Sequence, residues 1–271
     1  MADDGPAPVL PRTMRQAVRA ELARAFRPPY EAPLVVLING LMMAGAWFFI
    51  PRDWLFRFTG ALAFPVLLAG WMYADVPATN VLAPDRRRVL AALGEDDPGD
   101  LRTLLYAKNL VLWLIVTPIC MLIAVGIGID EHTWVLTGVT LIVIALTPLG
   151  LLGLAAILGT VFPYHPQPLR WRWEHRDEWK RYWLRWGTLV ILPYMYVPAL
   201  AAVVVLPEAV AWQTLSNKHL STLTDLDLAI GGLIACFVSV ALWFIGHRFV
   251  VNLAARRGDK LTSYLADPSR G

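Results

Sequence analysis

Six long apolar stretches constrain this chain more than anything else in it. They cover residues 33–50, 58–76, 109–129, 134–162, 187–212 and 228–246. A helix needs about 20 predominantly apolar residues to cross the hydrocarbon core of a bilayer. Backbone amides find no water there, so a crossing segment must bond to itself as a helix. The expected fold is therefore an all-α integral membrane protein with six transmembrane helices. Only 17% of the residues are charged, against about a quarter in a soluble domain. That composition excludes a disordered chain, a collagenous repeat and a disulfide-rich secreted scaffold.

The segments between the apolar stretches set the orientation. Segments 1–32, 77–108, 163–186 and 247–271 hold five, five, six and five basic residues. The alternate segments hold only Arg52, Arg57 and Lys218. Basic residues stay on the cytoplasmic side, so both termini are expected there. The resulting organisation is a cytoplasmic N-terminal segment 1–32, a six-helix domain 33–254 and a cytoplasmic tail 255–271. No cleavable signal is evident, and the first apolar stretch reads as an uncleaved anchor. The fourth and fifth stretches exceed one crossing and are expected to tilt or to extend past the surface. Arginine outnumbers lysine 20 to 4, as GC-rich bacterial genomes favour, and the expected location is a bacterial plasma (inner) membrane. The outer side is sparse, with Asp53, the turn Asp130-Glu131-His132 and the polar stretch 213–227. Leu206-Pro207-Glu208 interrupts the fifth stretch just before the last of these, so 208–224 is expected as short re-entrant or surface helices.

Three cytoplasmic features stand out. Residues 12–27 read as an amphipathic helix: at about 100° per residue, Met14, Val18, Leu22 and Ala25 share one face and Arg12, Arg19 and Arg27 another. Such a helix lies among the headgroups, as an anchor or as a lever contacting a partner. Loop 77–108 carries Pro84-Asp85-Arg86-Arg87-Arg88, then Gly94-Glu95-Asp96-Asp97-Pro98-Gly99-Asp100, then a segment that runs into the third stretch. Residues 86–93 are expected as a short helix stopped by Gly94, and Asp100 as the N-cap of the next helix. This elbow suits docking to another protein; a solvated basic turn is the alternative. In segment 169–186, Trp179, Tyr182, Trp183 and Trp186 share one helical face. Tryptophan on one side and charge on the other describes an interfacial helix, with partner contact as the alternative. Its arginine–tryptophan interleaving abuts a membrane span, so nucleic acid is not an expected partner.

No Asp, Glu, Lys or Arg falls at mid-depth in any stretch. Intramembrane charge marks proton or ion coupling, so a proton-driven pump is disfavoured. Asn39, Thr117, Thr137, Thr140, Thr147, Tyr194, Tyr196 and Ser239 read mainly as helix-packing groups. Pro65, Pro118, Pro148, Pro193 and Pro198 permit kinks, and Gly150, Gly153 and Gly159 permit close helix approach. Cys120 and Cys236 read as small apolar packing residues. No phosphate-binding G-x-x-x-x-G-K-[ST] loop, G-x-S-x-G or H-E-x-x-H motif occurs, and no catalytic, cofactor-binding or metal residue is assigned. His175 and His247 read as interfacial.

The ordered pattern resembles the permease subunits of ABC-2-type transporters. The shared elements begin with the amphipathic helix 12–27 ahead of six spans with both ends inside. A basic turn and helix follow, Arg86-Arg87-Arg88 and then Leu104-Leu105-Tyr106-Ala107-Lys108-Asn109-Leu110. Next come the exit Val161-Phe162-Pro163-Tyr164-His165-Pro166 and a polar external region between the fifth and sixth spans. The tryptophan-rich segment 169–186 is longer than the fourth-to-fifth turn usual in that family. The resemblance implies the membrane subunit of an ATP-driven exporter, not itself an enzyme. ATP and Mg would sit on a separate ABC ATPase, and a second permease, identical or not, would complete the path. Arg86, Arg87, Arg88, Asp100, Arg102 and Lys108 are the implied ATPase contacts. Membrane lipids are the other expected partners, met by Arg12, Arg19, Arg27, Trp179, Tyr182, Trp183 and Trp186. Two alternatives stay open: a non-transporting scaffold of the cell envelope, and a membrane-embedded lipid-modifying enzyme drawing on His165, Glu174, His175 and Asp177.

Overall fold

The computed structural model describes residues 10–27, 30–49, 63–73, 78, 80–94, 98–165 and 225–267, with isolated positions between 173 and 195. Among the described residues, all regular structure is helical. Helix α1 is Met14–Ala25, α2 Glu31–Phe49 and α3 Ala63–Tyr73. A single 3-10 turn, Ala83–Asp85, leads into α4, Arg86–Gly94. Then come α5 Pro98–Glu131, α6 Trp134–Val161, α7 Asp225–Arg256 and α8 Gly258–Ala266. Three helical segments, Gly99–Glu131, Trp134–Val161 and Ala229–Arg256, are long and apolar enough to cross a membrane. Shorter apolar helical segments, Pro33–Met42 and Phe64–Tyr73, lie in the first two apolar stretches. The chain is a helical membrane protein on this basis. Most of the fifth stretch, residues 208–224, the first external loop and the interfacial set Trp179, Tyr182, Trp183 and Trp186 fall outside the described residues.

Packing in the apolar layer has clear polarity. Tyr73 bonds Thr117 across 2.8 Å, and Met72 meets Cys120, so α3 runs antiparallel to α5. The two-residue turn at His132 reverses the chain between α5 and α6, with His132 itself at φ 54°. Helices α6 and α7 run parallel instead: Gly150 lies against Ser239, Gly153 against Trp243 and Gly246, and Val161 receives a bond from Arg257. The hydroxyls of Thr137 and Thr147 donate back to Thr133 and Val143 in their own helix, which satisfies them without a partner helix. Cys120 and Cys236 are free and buried. Exposed apolar side chains such as Leu41 on α2, Leu122 on α5 and Phe237 on α7 face outward, as hydrocarbon contact allows.

A second core caps one end of the bundle, the end where the basic segments gather. It joins Val89 and Ala92 of α4, Leu101 and Leu105 of α5, Ala156 of α6, Val250 and Ala254 of α7, and Leu261 and Leu265 of α8. Helix α8 arises in the expected tail; Leu261, Tyr264 and Leu265 recur at i, i+3 and i+4, so one face is apolar.

One local expectation changes. Helix α5 begins at Pro98, which places Asp100 in its first turn rather than at the N-cap. Proline fits the first helical position because its missing amide proton has no partner to lose there. An acid in that first turn is still favoured by the helix dipole. In α1 the face packed on the bundle is Ala17, Glu21 and Ala25, while Met14 and Leu22 stay exposed. Small residues let the backbone of α1 approach the bundle, and an interfacial helix leaves its large apolar residues for lipid. The start of α1 is well made. The Gln16 amide donates to Thr13 Oγ1 at 3.3 Å, and Gln16 Oε1 accepts from the Arg12 amide at 3.1 Å, a near-reciprocal capping box. Thr13→Ala should cost about 1 kcal/mol of local helix stability. Faster amide exchange in the first turn of α1, with α5 unchanged, checks this.

Candidate functional site

Glu21 sits mid-way along the packed face of α1 and is 5% exposed. A buried carboxylate needs a partner, because isolated charge in a low-dielectric medium is costly. The partner comes from α5: Lys108 Nζ lies 3.7 Å from Glu21 Oε1 and 4.0 Å from Asp85 Oδ2 of the 3-10 turn. Arg24, one turn along α1, grips both Glu21 oxygens, with Nε to Oε2 at 2.9 Å. Arg88 Nη1 of α4 meets the same Asp85 oxygen at 3.3 Å. Two carboxylates thus bind three cations drawn from α1, α4 and α5. Lys108 Nζ is buried and makes no hydrogen bond; it holds both acids by charge at ion-pair distance. Burial pushes the Glu21 carboxyl up, but Lys108, Arg24 and Arg88 together outweigh it and hold the carboxyl below its ordinary value.

A second cluster adjoins this one on α5, where Tyr106 and Asn109 stand beside Lys108 in sequence. Tyr106 stacks on His247 of α7, with ring centroids 4.3 Å apart and planes 11° apart. His247 Nδ1 lies 2.8 Å from the Trp243 carbonyl, and its Nε2 lies 2.9 Å from Asn109 Nδ2. Both contacts are satisfied by one tautomer, in which Nδ1–H donates to the carbonyl and Nε2 accepts from the amide. Asn109 Oδ1 and Trp243 Nε1 remain buried without partners. His247 is therefore fully buried between α5 and α7 rather than interfacial, because stacking and both ring nitrogens are satisfied there. A third junction lies beside it. Asn80 donates to the Tyr164 carbonyl at 2.7 Å, and His165 bonds the Tyr264 carbonyl at 3.0 Å while stacking on its ring.

The expected coupling residues are divided by this geometry. Arg102 is exposed; Arg86, Arg87, Arg88 and Asp100 are half-buried; Lys108 is buried. Arg88 and Lys108 meet in the ion cluster, whereas Arg102 takes no part in it. Arg19 on α1, and Arg12 and Arg27 on its flanks, are all exposed. Of the set weighed for lipid chemistry, His165 is buried and committed to α8, Glu174 and Asp177 are exposed, and His175 lies outside the described residues. Among the described residues no three His, Cys, Asp or Glu side chains group as metal ligands. The sequence assigns Glu21 and Asp85 no role of their own, and it reads His247 as interfacial. One signal was present: Glu21 is a lone acid spaced i+4 from Ala17 and i+4 before Ala25, on a face too small to be a lipid contact.

No family model, curated protein or solved structure matches the chain.

Proposed function

We propose that this chain is the membrane subunit of an ABC-type exporter, worked by a separate ATPase that docks on the elbow 77–108. The observation that carries this reading is the buried ion cluster. Asp85 and Arg88 belong to the elbow, Lys108 to the first turns of a membrane-crossing helix, and Glu21 to α1. A force applied to the elbow therefore reaches α5 and α1 through charges that cannot separate cheaply. Alternating access would follow from the partner's nucleotide states binding two arrangements of this joint unequally.

Topology supports the same reading. Helices α6 and α7 run parallel, so two spanning helices in that relation need an odd number of crossings between them. The apolar stretch 187–212 supplies one, which gives six spans with both termini in the cytoplasm. The basic end of the bundle is then cytoplasmic, in keeping with the charge asymmetry. Asp100 and Arg102 stand on the first turn of α5, beside the elbow. A second permease chain and membrane lipids complete the assembly, and ATP and Mg belong to the ATPase.

Purification of the tagged chain from native membranes should recover a P-loop ATPase in fixed proportion, with nucleotide hydrolysis. Reversing Arg86 and Arg102 to glutamate should lower that recovery by about tenfold, since both stand at the rim of the docking face. Repeated isolation of the chain with no nucleotide hydrolase would sink the reading.

A further inference from the structure

Among the described residues, four buried side-chain atoms have no hydrogen-bond partner in the protein: Lys108 Nζ, Asn109 Oδ1, Thr133 Oγ1 and Trp243 Nε1. Buried polar atoms are nearly always paired, with protein or with ordered water. Lys108 has two carboxylates at ion-pair distance in place of a bond, and Thr133 stands by itself at the turn into α6. Asn109 and Trp243 differ, because they bring complementary atoms, an acceptor and a donor, to one imidazole. Asn109 Nδ2 lies 2.9 Å from His247 Nε2. The Trp243 ring stands edge-on to the same imidazole, with centroids 5.5 Å apart and planes at 79°.

The bonds in this cluster all run one way. The Asn109 amide donates to His247 Nε2, and His247 Nδ1–H donates to the Trp243 carbonyl. Turning the amide over would set Oδ1 against Nε2. The neutral ring would then need its proton on Nε2 and would face the Trp243 carbonyl with a bare Nδ1. The amide is therefore held with Oδ1 away from the imidazole. A single link, from the Trp243 N–H to Asn109 Oδ1, would close the circuit. Its occupant must accept a hydrogen bond on one side and donate one on the other. A carboxylate or phosphate cannot donate and an ammonium cannot accept, whereas a neutral O–H group does both. Asn109 and His247 are each 0% exposed, which leaves no entry for a lipid or sugar hydroxyl with its carbon frame attached. Water is the O–H carrier small enough for such a site.

We propose that one water molecule is a built-in part of the α5–α7 seam, accepting from Trp243 Nε1–H and donating to Asn109 Oδ1. It completes a ring that runs from Trp243 to water to Asn109 to His247 and back to the Trp243 carbonyl. Hydrogen bonds in such a chain polarise and strengthen one another. The ring ties α5 to α7 at the residue that follows Lys108. This site does not rest on the exporter reading, since it needs no ATPase.

The test exchanges one group at a time in the full-length chain in nanodiscs. Trp243→3-benzothienylalanine, made through a suppressed stop codon, keeps the bicyclic shape and puts sulfur in place of the N–H. The same exchange at Trp113 is the calibrator, because that indole N–H donates directly to the Ala145 carbonyl at 2.7 Å. Exchange at Trp113 should lower the melting temperature by about 2–4 °C, as for one lost hydrogen bond. Exchange at Trp243 should lower it by a comparable amount. An unchanged or raised melting temperature at Trp243 would overturn the site, because removing an unbonded buried donor relieves a desolvation cost. A density map that resolves ordered water should show one isolated peak within hydrogen-bond reach of both Trp243 Nε1 and Asn109 Oδ1. Density there that continues into a carbon chain would overturn the water assignment. A map that shows other internal waters and none at this place would overturn the proposal.

Discussion

Replacing Lys108 with methionine should destabilise the protein by about 3–5 kcal/mol, the cost of breaking a buried ion pair from one side. The ammonium is 5% exposed and stands between Glu21 and Asp85. Its loss leaves two carboxylates that water cannot reach freely. Arg24 compensates only in part, because its side chain is 37% exposed and its pairing is weakened by water. The double change Glu21→Gln with Lys108→Met should recover much of the loss, since neither charge is then buried alone. Melting temperature in detergent, together with trypsin cleavage after Arg24 or Arg27, checks both: the single variant should release α1, and the double variant should retain it. Equal instability of the two would refute the pairing.

The same cluster sets a pH response. The Glu21 carboxyl is held below its ordinary value of 4.5. A depressed carboxyl contributes its full stability above the unfolded value and loses it as pH falls through the native one. Docking of α1 should therefore be constant from neutral pH down to about 5 and should weaken below 4.5, with Glu21→Gln flattening that acid limb. A melting profile against pH reads this directly.

Gly246→Val should disrupt the bundle where α6 and α7 cross. A Cβ at Gly246 would stand 2.8 Å from the Gly153 carbonyl oxygen, and one at Gly153 would stand 2.8 Å from Trp243 Cα. Both obstacles are backbone, so neither can swing aside; α6 and α7 would have to separate. Overpacking of this kind costs about 1–3 kcal/mol, and more when no side chain can yield. Trp243 and His247 flank Gly246, so separation would also pull His247 from Asn109. Gly126→Ala is the matched control, because nothing lies within 4 Å of its Cβ position. There alanine should be neutral or stabilising by up to about 1 kcal/mol. Expression yield and melting temperature of the three glycine variants should rank Gly126→Ala first, Gly153→Ala next and Gly246→Val last.

Much of the secondary structure was legible. The apolar stretches mark α5, α6 and α7, and the Gly94 stop marks the end of α4. Gly150 and Gly153 are legible as close-approach positions, but Gly246, their counterpart on α7, is not, because one glycine at the end of an apolar stretch carries no pattern. Helix α8 lies in the expected tail, where Leu261, Tyr264 and Leu265 show helical spacing but nine residues are too few to stand out beside longer apolar runs. The packed face of α1 is not legible from hydrophobicity, which picks out the lipid side of an interfacial helix, whereas its protein side is Ala17, Glu21 and Ala25.

The amino-acid sequence by itself determined that this chain must be helical and must bury itself in a membrane, since apolar residues in unbroken runs force internal hydrogen bonding wherever they lie. Only the tertiary structure decided that Lys108 answers Glu21 and Asp85, that Gly153 meets Gly246, and that His247 is buried against Tyr106. The difference is physical. Apolar transfer is additive along the chain and needs no particular partner, whereas ion pairs and backbone contacts depend on distances of a few ångströms between segments far apart in sequence.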